Sequence, residues 1–306
     1  MAGVARWLAL GAALLLAACQ TPPRTPTAPA GQAVEPAVVV PVSPPTPPRP
    51  PRIGLALGGG AARGFAHIGV IQVLEEAGIQ PDLVVGTSAG SLVAALYASG
   101  KAGAELAALA QGMDEGAITD WSFPGRGVIR GEALARYVRE QTGQRTIEQM
   151  RLPLGIVATD LDSGAAILFQ RGDTGMAVRA SSAVPAVFQP VRIGTREYVD
   201  GGLVSPVPVR FARQMGAELV IAVDISTPPD GAPTGDAFKM LLQTFSIMGK
   251  SINHFELRDA DVVVRPKLVG VGSADFAART RAIAAGREAA QALLQEIRRQ
   301  VAARTR

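Results

Sequence analysis

The sequence contains one cysteine and two histidines among 306 residues, and each shortage excludes a class of site. A single cysteine, Cys19, rules out an intramolecular disulfide bond and a zinc–thiolate cluster. No group of histidines and carboxylates has the spacing of metal ligands, so we expect no metal and no cofactor. Aromatic residues are also scarce, at 5% of the chain.

Charge of either sign is limited as well. Charged residues make up 18% of the chain, and the net charge is +4. The arginines are scattered except near the C-terminus, so the pattern does not suggest a nucleic-acid partner. The hydrophobic content of 48% is sufficient for one large globular domain or two small ones. Residues 291–306 form the basic, mostly polar end of a helix predicted over about 274–304.

The first residues have the pattern of a targeting segment. Arg6 supplies a positive charge, and the apolar run at 8–18 is too short to span a bilayer. The run ends in Leu-Ala-Ala-Cys, which resembles a bacterial lipobox, although an ordinary signal peptide with an incidental cysteine is the alternative. We therefore expect residues 1–18 to be a lipoprotein signal peptide and Cys19 to be lipidated. Gln20 is similar to an outer-membrane sorting signal, which predicts the periplasmic face of the outer membrane in a bacterial envelope.

A proline-rich segment follows the cysteine. Residues 20–51 contain 12 of the 23 prolines and few residues that can pack into a core. This composition predicts a disordered tether over residues 19–51, rich in polyproline conformation. At about 3.1 Å per residue, such a segment reaches on the order of 100 Å when it is extended.

The most informative motif lies at residues 86–90, which read Gly-Thr-Ser-Ala-Gly between an apolar strand and a helix of small residues. This arrangement is the nucleophile-elbow pattern, in which a tight turn raises a serine above the end of a sheet. Gly86 and Gly90 flank Ser88 because side chains at those positions would crowd it. The pattern predicts Ser88 as a nucleophile; a turn with no catalytic role is the alternative.

A glycine-rich loop precedes the elbow. Residues 58–64 read Gly-Gly-Gly-Ala-Ala-Arg-Gly between a predicted strand at 52–57 and an apolar helix at 65–77. Such a loop leaves backbone N–H groups free for an anion. The glycine spacing does not fit a dinucleotide site, so an oxyanion beside Ser88 is favoured over a phosphate or a purely structural loop. The predicted oxyanion donors are the N–H groups of Gly58, Gly59, Gly60 and Ala89.

A candidate carboxylate stands at the end of a later strand, where residues 197–202 read Glu-Tyr-Val-Asp-Gly-Gly. Gly201 and Gly202 allow a second backbone to approach Asp200 and leave the carboxylate open toward the serine. Taken alone, however, Asp-Gly-Gly is usually just a turn. The rival carboxylates, Asp160 and Asp162, fall in a predicted hairpin turn, where aspartate is expected for backbone reasons alone.

Together, the blocks at 58–64, 86–90 and 200–202 resemble the signature blocks of the patatin-like phospholipases. Over residues 52–290 the chain is most similar to the bacterial branch related to neuropathy target esterase. The resemblance implies a three-layer α/β fold with a mostly parallel central sheet flanked by helices. It also implies a lipid acyl hydrolase acting on phospholipid or lysophospholipid, with Ser88 as nucleophile and Asp200 as base. The supporting motif positions are Arg63, Gly64, Gly86, Gly90, Gly201 and Gly202.

Several roles stay open at this point. A Ser88–Asp200–His254 triad is an alternative to the dyad, although His254 falls in the middle of an apolar helical repeat. We expect His67 to be a core or supporting residue. Arg63 either orients the glycine loop or steers a phosphate head group. A membrane-tethered binding protein without activity is a further alternative, but both catalytic candidates and the glycine run are intact.

The sequence also predicts the burial or the role of three further segments. The helix predicted at 238–255 carries apolar residues at spacings of three and four, and we expect this stripe to be buried rather than to form a lipid groove. Trp121 and Phe123 are expected to pack in the core, a lid or membrane-touching loop being the alternative. The segment 181–188 matches the family and is expected to line the acyl site, but Ser181 and Ser182 are given no chemical role.

Overall fold

The computed structural model describes residues 48–121, 125–226, 234–272 and 274–306. The predictions for the signal peptide, Cys19, most of the tether and Phe123 lie outside these residues. The described part contains a central sheet, a small second sheet and helices on both faces of the central sheet.

The strands at the centre of the sheet are buried along their whole length, whereas those at its two edges are partly exposed. All five residues of the strands at 53–57, 83–87 and 219–223 are buried, as expected where helices cover both faces of a parallel sheet. The strands are β1 Ile53–Leu57, β2 Leu83–Thr87, β3 Gly127–Ile129, β4 Leu154–Asp160, β5 Ala166–Phe169, β6 Ala186–Phe188, β7 Val191–Ile193, β8 Arg196–Asp200, β9 Leu219–Val223 and β10 Val262–Val264.

The central sheet has the strand order β10-β9-β1-β2-β4-β8-β7, and β5 pairs with β4 outside this path. Strands β10, β9, β1, β2 and β4 are parallel, whereas β8, β7 and β5 run antiparallel to their neighbours. Strands β3 and β6 form a separate two-stranded sheet. The predicted mostly parallel α/β sheet is therefore confirmed.

The helices form the two outer layers. Leu55 of β1 packs in a cluster with α1 and α2, whereas its neighbour Ala56 packs with α6 on the opposite face. This alternation follows from the two-residue period of a strand. The helices are α1 Phe65–Glu76, α2 Ala89–Ala98, α3 Gly103–Gly112, α4 Glu132–Gln141, α5 Thr174–Ser181, α6 Val209–Gln214, α7 Ala237–Glu256 and α8 Arg279–Arg304.

The ends of the described domain lie together. The Arg49 side chain pairs with Glu218 at 2.8 Å, and the Arg49 and Arg306 backbones exchange two hydrogen bonds of 2.6 and 3.1 Å. Arg304, in the basic end of α8, pairs with Asp261 at 2.5 Å. The folded domain therefore begins slightly before the predicted boundary at residue 52.

Helix α7 differs from its prediction. Its apolar stripe was expected to be buried, but Phe238, Met248 and Phe255 of that stripe are 46%, 44% and 65% exposed. Only Asn253 and Glu256 of this helix are buried. The prediction of a buried stripe is wrong because periodicity identifies an apolar face without showing what covers it.

The loop before β3 also differs from its prediction. Trp121 is 73% exposed, so the expectation that it packs in the core is wrong. Its backbone forms an isolated bridge with Ile129, which fixes the loop beside β3 while the indole remains outside. Among the described residues, no helix combines the length and hydrophobicity needed to cross a membrane.

Candidate functional site

Ser88 occupies a strained turn between β2 and α2. Its backbone has φ 53° and ψ −125°, a conformation that non-glycine residues seldom adopt and that costs on the order of 1–3 kcal/mol. A Cβ added at Gly86 would lie 2.4 Å from the carbonyl oxygen of Gly90, and one at Gly90 would lie 2.1 Å from that of Leu57. Ser88 therefore lies in a tight strand-to-helix turn, and glycine at the two flanking positions avoids contact with backbone carbonyl groups rather than with the serine side chain.

The sheet register brings the second candidate to the serine. Thr87 at the end of β2 pairs with Val157 of β4, and Asp200 at the end of β8 pairs with the next β4 residue, Ala158. Ser88 and Asp200 therefore stand at the same level on opposite sides of β4. Neighbouring strands are about 4.8 Å apart, so the two side chains meet above that strand. Ser88 Oγ donates a hydrogen bond of 2.7 Å to Asp200 Oδ2.

The Asp200 carboxylate is held in a buried position. Its second oxygen accepts a 2.6 Å hydrogen bond from the N–H of Gly202, and its backbone carbonyl accepts one of 2.8 Å from Thr159 Oγ1. Burial raises the pKa of Asp200 from 3.8 to about 6, against the opposing effect of the hydrogen bonds from Ser88 and Gly202. The carboxyl group is consequently a stronger base than an exposed aspartate.

Sequence reasoning missed one residue of this site. Ser181 at the end of α5 accepts a 2.9 Å hydrogen bond from the N–H of Ser88, and its hydroxyl donates one of 2.5 Å to the carbonyl of Val157. It thereby ties the strained elbow to β4. Nothing in its local pattern identified this contact, because it depends on the packing of α5 against the sheet.

The glycine loop supplies fewer free donors than predicted. The N–H of Gly58 donates to Val223 O at 3.0 Å, and that of Gly59 donates to Pro206 O at 2.9 Å. These two groups are therefore not available to an oxyanion, contrary to the prediction. The N–H groups of Gly60 and Ala89 have no acceptor among the described residues. Gly60 lines one of the two cavities at Ser88, and Ala89 lines the other.

Two basic side chains, His67 and Arg63, are buried beside this loop. His67 is fully buried, and burial lowers its pKa to about 4, so the neutral ring donates from Nε2 to Gly58 O at 2.8 Å. This supporting role agrees with the prediction for His67. Arg63 is 8% exposed, its Nε has no partner among the described residues, and burial lowers its pKa to about 10.

Other motif glycines allow close approach between elements. A Cβ at Gly64 would lie 2.9 Å from the Cβ of Ala89, so the glycine lets the loop pack on the start of α2. A Cβ at Gly201 would lie 2.2 Å from the carbonyl oxygen of Val157, which explains how the chain after Asp200 crosses β4.

The rival residues lie in other environments. The Asp160 carboxylate pairs with Arg196 at 2.7 Å and accepts a hydrogen bond from the N–H of Ser163 in the turn that follows. Its predicted turn role is therefore confirmed. Asp162 is exposed in the same turn. His254 is exposed on α7 and contacts Arg258 at 2.7 Å. No hydrogen bond joins it to Ser88 or Asp200 in the described structure.

Two cavities meet at Ser88. One, of about 300 Å³, is lined mainly by apolar side chains, including Phe65, Leu92, Leu134 and Phe188. The other, of about 240 Å³, contains Asp200 together with Arg63 and Lys250. The serine hydroxyl is thus placed between an apolar cavity and a cavity with positive charge.

The chain is similar to known proteins in both sequence and fold. The family model described as patatin-like phospholipase matches residues 55–213, just over half of the chain. An uncharacterised NTE family protein of Mycobacterium tuberculosis is 40% identical over 189 residues, which are 61% of this chain and 52% of the relative. The mouse patatin-like phospholipase domain-containing protein 6 is 34% identical over 183 residues, which are 57% of this chain and 14% of that protein.

A solved structure shows the same fold. VipD from Legionella pneumophila matches with a TM-score of 0.57 at 15% identity, over 81% of this chain and 68% of that one. The chain spans about half the length of the mycobacterial relative. The family model, which covers the glycine loop, the elbow and Asp200, establishes that this chain belongs to the patatin-like phospholipase family.

Proposed function

We propose that the protein is a serine lipid acyl hydrolase that cleaves carboxylic ester bonds of membrane lipids through a Ser88–Asp200 dyad. The observation that carries this proposal is the 2.7 Å hydrogen bond from Ser88 Oγ to Asp200 Oδ2, formed at a strained elbow where two cavities meet. Family membership supports the same reaction class.

The geometry gives each residue a step. Ser88 Oγ attacks the ester carbonyl carbon while its proton passes to Asp200. The N–H groups of Gly60 and Ala89 stabilise the oxyanion of the tetrahedral intermediate. Each such donor typically contributes about 2.7–4 kcal/mol to transition-state stabilisation. Asp200 then returns the proton to the leaving alcohol, which departs and leaves the acyl group on Ser88.

The second half of the reaction reverses these roles. A water molecule gives its proton to Asp200 and attacks the acyl carbon, and the proton returns to Ser88 Oγ as the fatty acid leaves. A pKa of about 6 suits both proton transfers near neutral pH better than the ordinary value of 3.8.

The two cavities support a lipid substrate. The apolar cavity suits an acyl chain, and the cavity with Arg63 and Lys250 suits the polar remainder of the molecule. A phospholipid or lysophospholipid combines these parts. We also propose that Cys19 is lipidated and holds the enzyme at the bacterial envelope, on the periplasmic face of the outer membrane.

Labelling of the nucleophile tests the proposal. A fluorophosphonate is expected to label the wild-type protein at Ser88, and Ser88→Ala is expected to abolish both labelling and hydrolysis of p-nitrophenyl butyrate. Ser163→Ala, in the exposed β4–β5 turn, provides the matched control and should keep both. Labelling that persists in folded Ser88→Ala would identify another nucleophile.

A further inference from the structure

A cavity of about 420 Å³ adjoins the Ser88 cavity on the α7 side. Its lining includes Asp224, Ser226, Lys250, Asn253, Arg258 and Arg265. Ser226 and Lys250 line both cavities, so a molecule bound at Ser88 has a direct route into this one.

Positive charge exceeds negative charge in this adjoining cavity. Lys250, Arg258 and Arg265 face it, against the single carboxylate of Asp224. Asp224 is held by Arg265 at 3.4 Å. Lys250 is exposed and has no acidic partner in the described part of the chain. Arg258 forms a hydrogen bond with the imidazole of His254 and lies over the ring of Phe255. No carboxylate among the described residues pairs with it, so its charge is also uncompensated.

Asn253 gives a second, independent indication of a ligand. Its side chain lies in the same lining but is only 4% exposed. Neither its amide nitrogen nor its amide oxygen has a hydrogen-bond partner among the described residues. Buried amides without partners are uncommon, because the lost hydrogen bonds to water are not replaced.

We propose that the adjoining cavity binds a phosphate group, and specifically the head-group phosphate of a lipid whose ester lies at Ser88. Arginine and lysine provide charge-assisted hydrogen bonds to phosphate oxygens, and the Asn253 amide supplies a neutral donor. This assignment rests on the proposed hydrolase function and names the feature of the substrate that the enzyme selects.

A substrate pair tests the assignment. Lysophosphatidylglycerol and a monoacylglycerol with the same acyl chain differ in the phosphate-bearing head group. In Arg258→Gln, the ratio of kcat/KM for the first substrate to that for the second is expected to fall about tenfold or more. Arg298→Gln removes an exposed arginine of α8 and should leave the ratio at its wild-type value.

Titration with inorganic phosphate, measured by calorimetry, distinguishes the source of the ligand. If the ratio falls in Arg258→Gln, the phosphate belongs to the lipid. If the ratio holds but phosphate binding is lost, the cavity binds free phosphate. If both are retained, the proposal is overturned. Failure of the wild type to hydrolyse either ester would count against the hydrolase function, while the titration would still test the cavity.

The exposed side of α7 carries a second inference. Met240, Leu241, Ile247, Met248 and Phe255 are 36–65% exposed and define what we term the outer face of α7. Their spacing of one, six, one and seven residues keeps them on one side of a helix with 3.6 residues per turn. No charged residue occurs within that arc, where Thr244 and Ser251 complete the surface.

The other side of α7 forms a wall of the Ser88 cavity. Leu242, Phe245 and Gly249 line it. Lys250 and His254 lie between the two sides, since helical periodicity places them beside the outer face. An apolar face with an adjacent basic flank is the pattern of helices that lie in a lipid interface.

We infer that the outer face of α7 contacts an anionic lipid bilayer, which would place the mouth of the Ser88 cavity at the membrane surface. The positive charge of Lys250 beside this face and the net charge of +4 are complementary to anionic lipids. This inference also rests on the proposed lipid substrate, but its test requires no catalysis.

Vesicle sedimentation with the chain from Gln20 onward, carrying Ser88→Ala, provides that test without a lipid anchor. With vesicles of phosphatidylethanolamine and phosphatidylglycerol, Ile247→Ser combined with Met248→Ser is expected to weaken binding at least tenfold. Leu161→Ser, a leucine 40% exposed outside α7, should bind as before. Unchanged binding, or light scattering that shows the outer face joining two copies of the chain, would overturn the inference.

Discussion

Replacing Asp200 by asparagine should make the protein more stable at neutral pH while it removes activity. The pKa of Asp200 is raised from 3.8 to about 6 because the carboxylate is buried. Each pKa unit corresponds to about 1.36 kcal/mol, so the ionised group destabilises the folded state by about 3 kcal/mol above pH 7. Asparagine imitates the protonated acid, because its amide donates to Ser88 Oγ and its oxygen accepts from the N–H of Gly202.

The pH dependence has a defined sign. Between about pH 3.8 and 6, the folded state retains the Asp200 proton while the unfolded state has lost it. The wild-type free energy of unfolding therefore decreases through this window as pH rises, and the decrease persists above it. Asparagine does not titrate, so the free energy of unfolding of Asp200→Asn does not show this decrease.

Urea unfolding at pH 8 and pH 4 measures the difference. Asp200→Asn is expected to exceed the wild type in free energy of unfolding by up to about 3 kcal/mol at pH 8, and to match it at pH 4. Asp162→Asn removes an exposed carboxylate and controls for the change in net charge. A variant that is less stable at pH 8, or that shows the same offset at both pH values, would refute the reasoning.

Two further predictions concern access to the serine and the N-terminus. A Cβ at Gly59 would lie 3.1 Å from Ser88 Cβ and 3.9 Å from its Oγ, so Gly59→Ala should lower kcat/KM for p-nitrophenyl butyrate about tenfold or more, with a small change in Tm. Gly112→Ala, where an added Cβ meets nothing within 4 Å, is the control, and equal losses in both would show that access is not the cause. Mass spectrometry of the mature protein should find a lipid-modified Cys19 and no residues 1–18; an unmodified thiol there would contradict lipidation.

Local patterns were sufficient to predict the elbow and the strand before it, whereas Asp200 was assigned through the resemblance of all three blocks to one family. The reason is that the elbow and its strand depend on sequence-adjacent requirements. Ser88 needs glycine at both flanking positions, and a carboxylate followed by two small residues can approach another strand. Constraints of this kind are visible in a stretch of a few residues, so Ser88 and Asp200 were candidates before the distance between them was known.

The remainder depends on packing between distant segments. Whether Gly58 and Gly59 have free N–H groups is decided by carbonyl groups of Val223 and Pro206, which lie about 150 residues later in the chain. The contact of Ser181 with Ser88 requires α5 to pack against β4. The exposure of the α7 stripe depends on what covers the helix, and periodicity alone carries no information on that point.

The most direct test of the dyad compares Asp200→Asn with His254→Ala in the same expression system, with folding checked by thermal melting. The substrate is p-nitrophenyl butyrate, which has no phosphate group for the adjoining cavity to bind. Asp200→Asn is expected to lower kcat about 10²- to 10⁴-fold, as is typical for loss of a general base. His254→Ala is expected to remain within about tenfold of the wild type. A folded His254→Ala enzyme with activity as low as that of Ser88→Ala would contradict the dyad and make histidine the base.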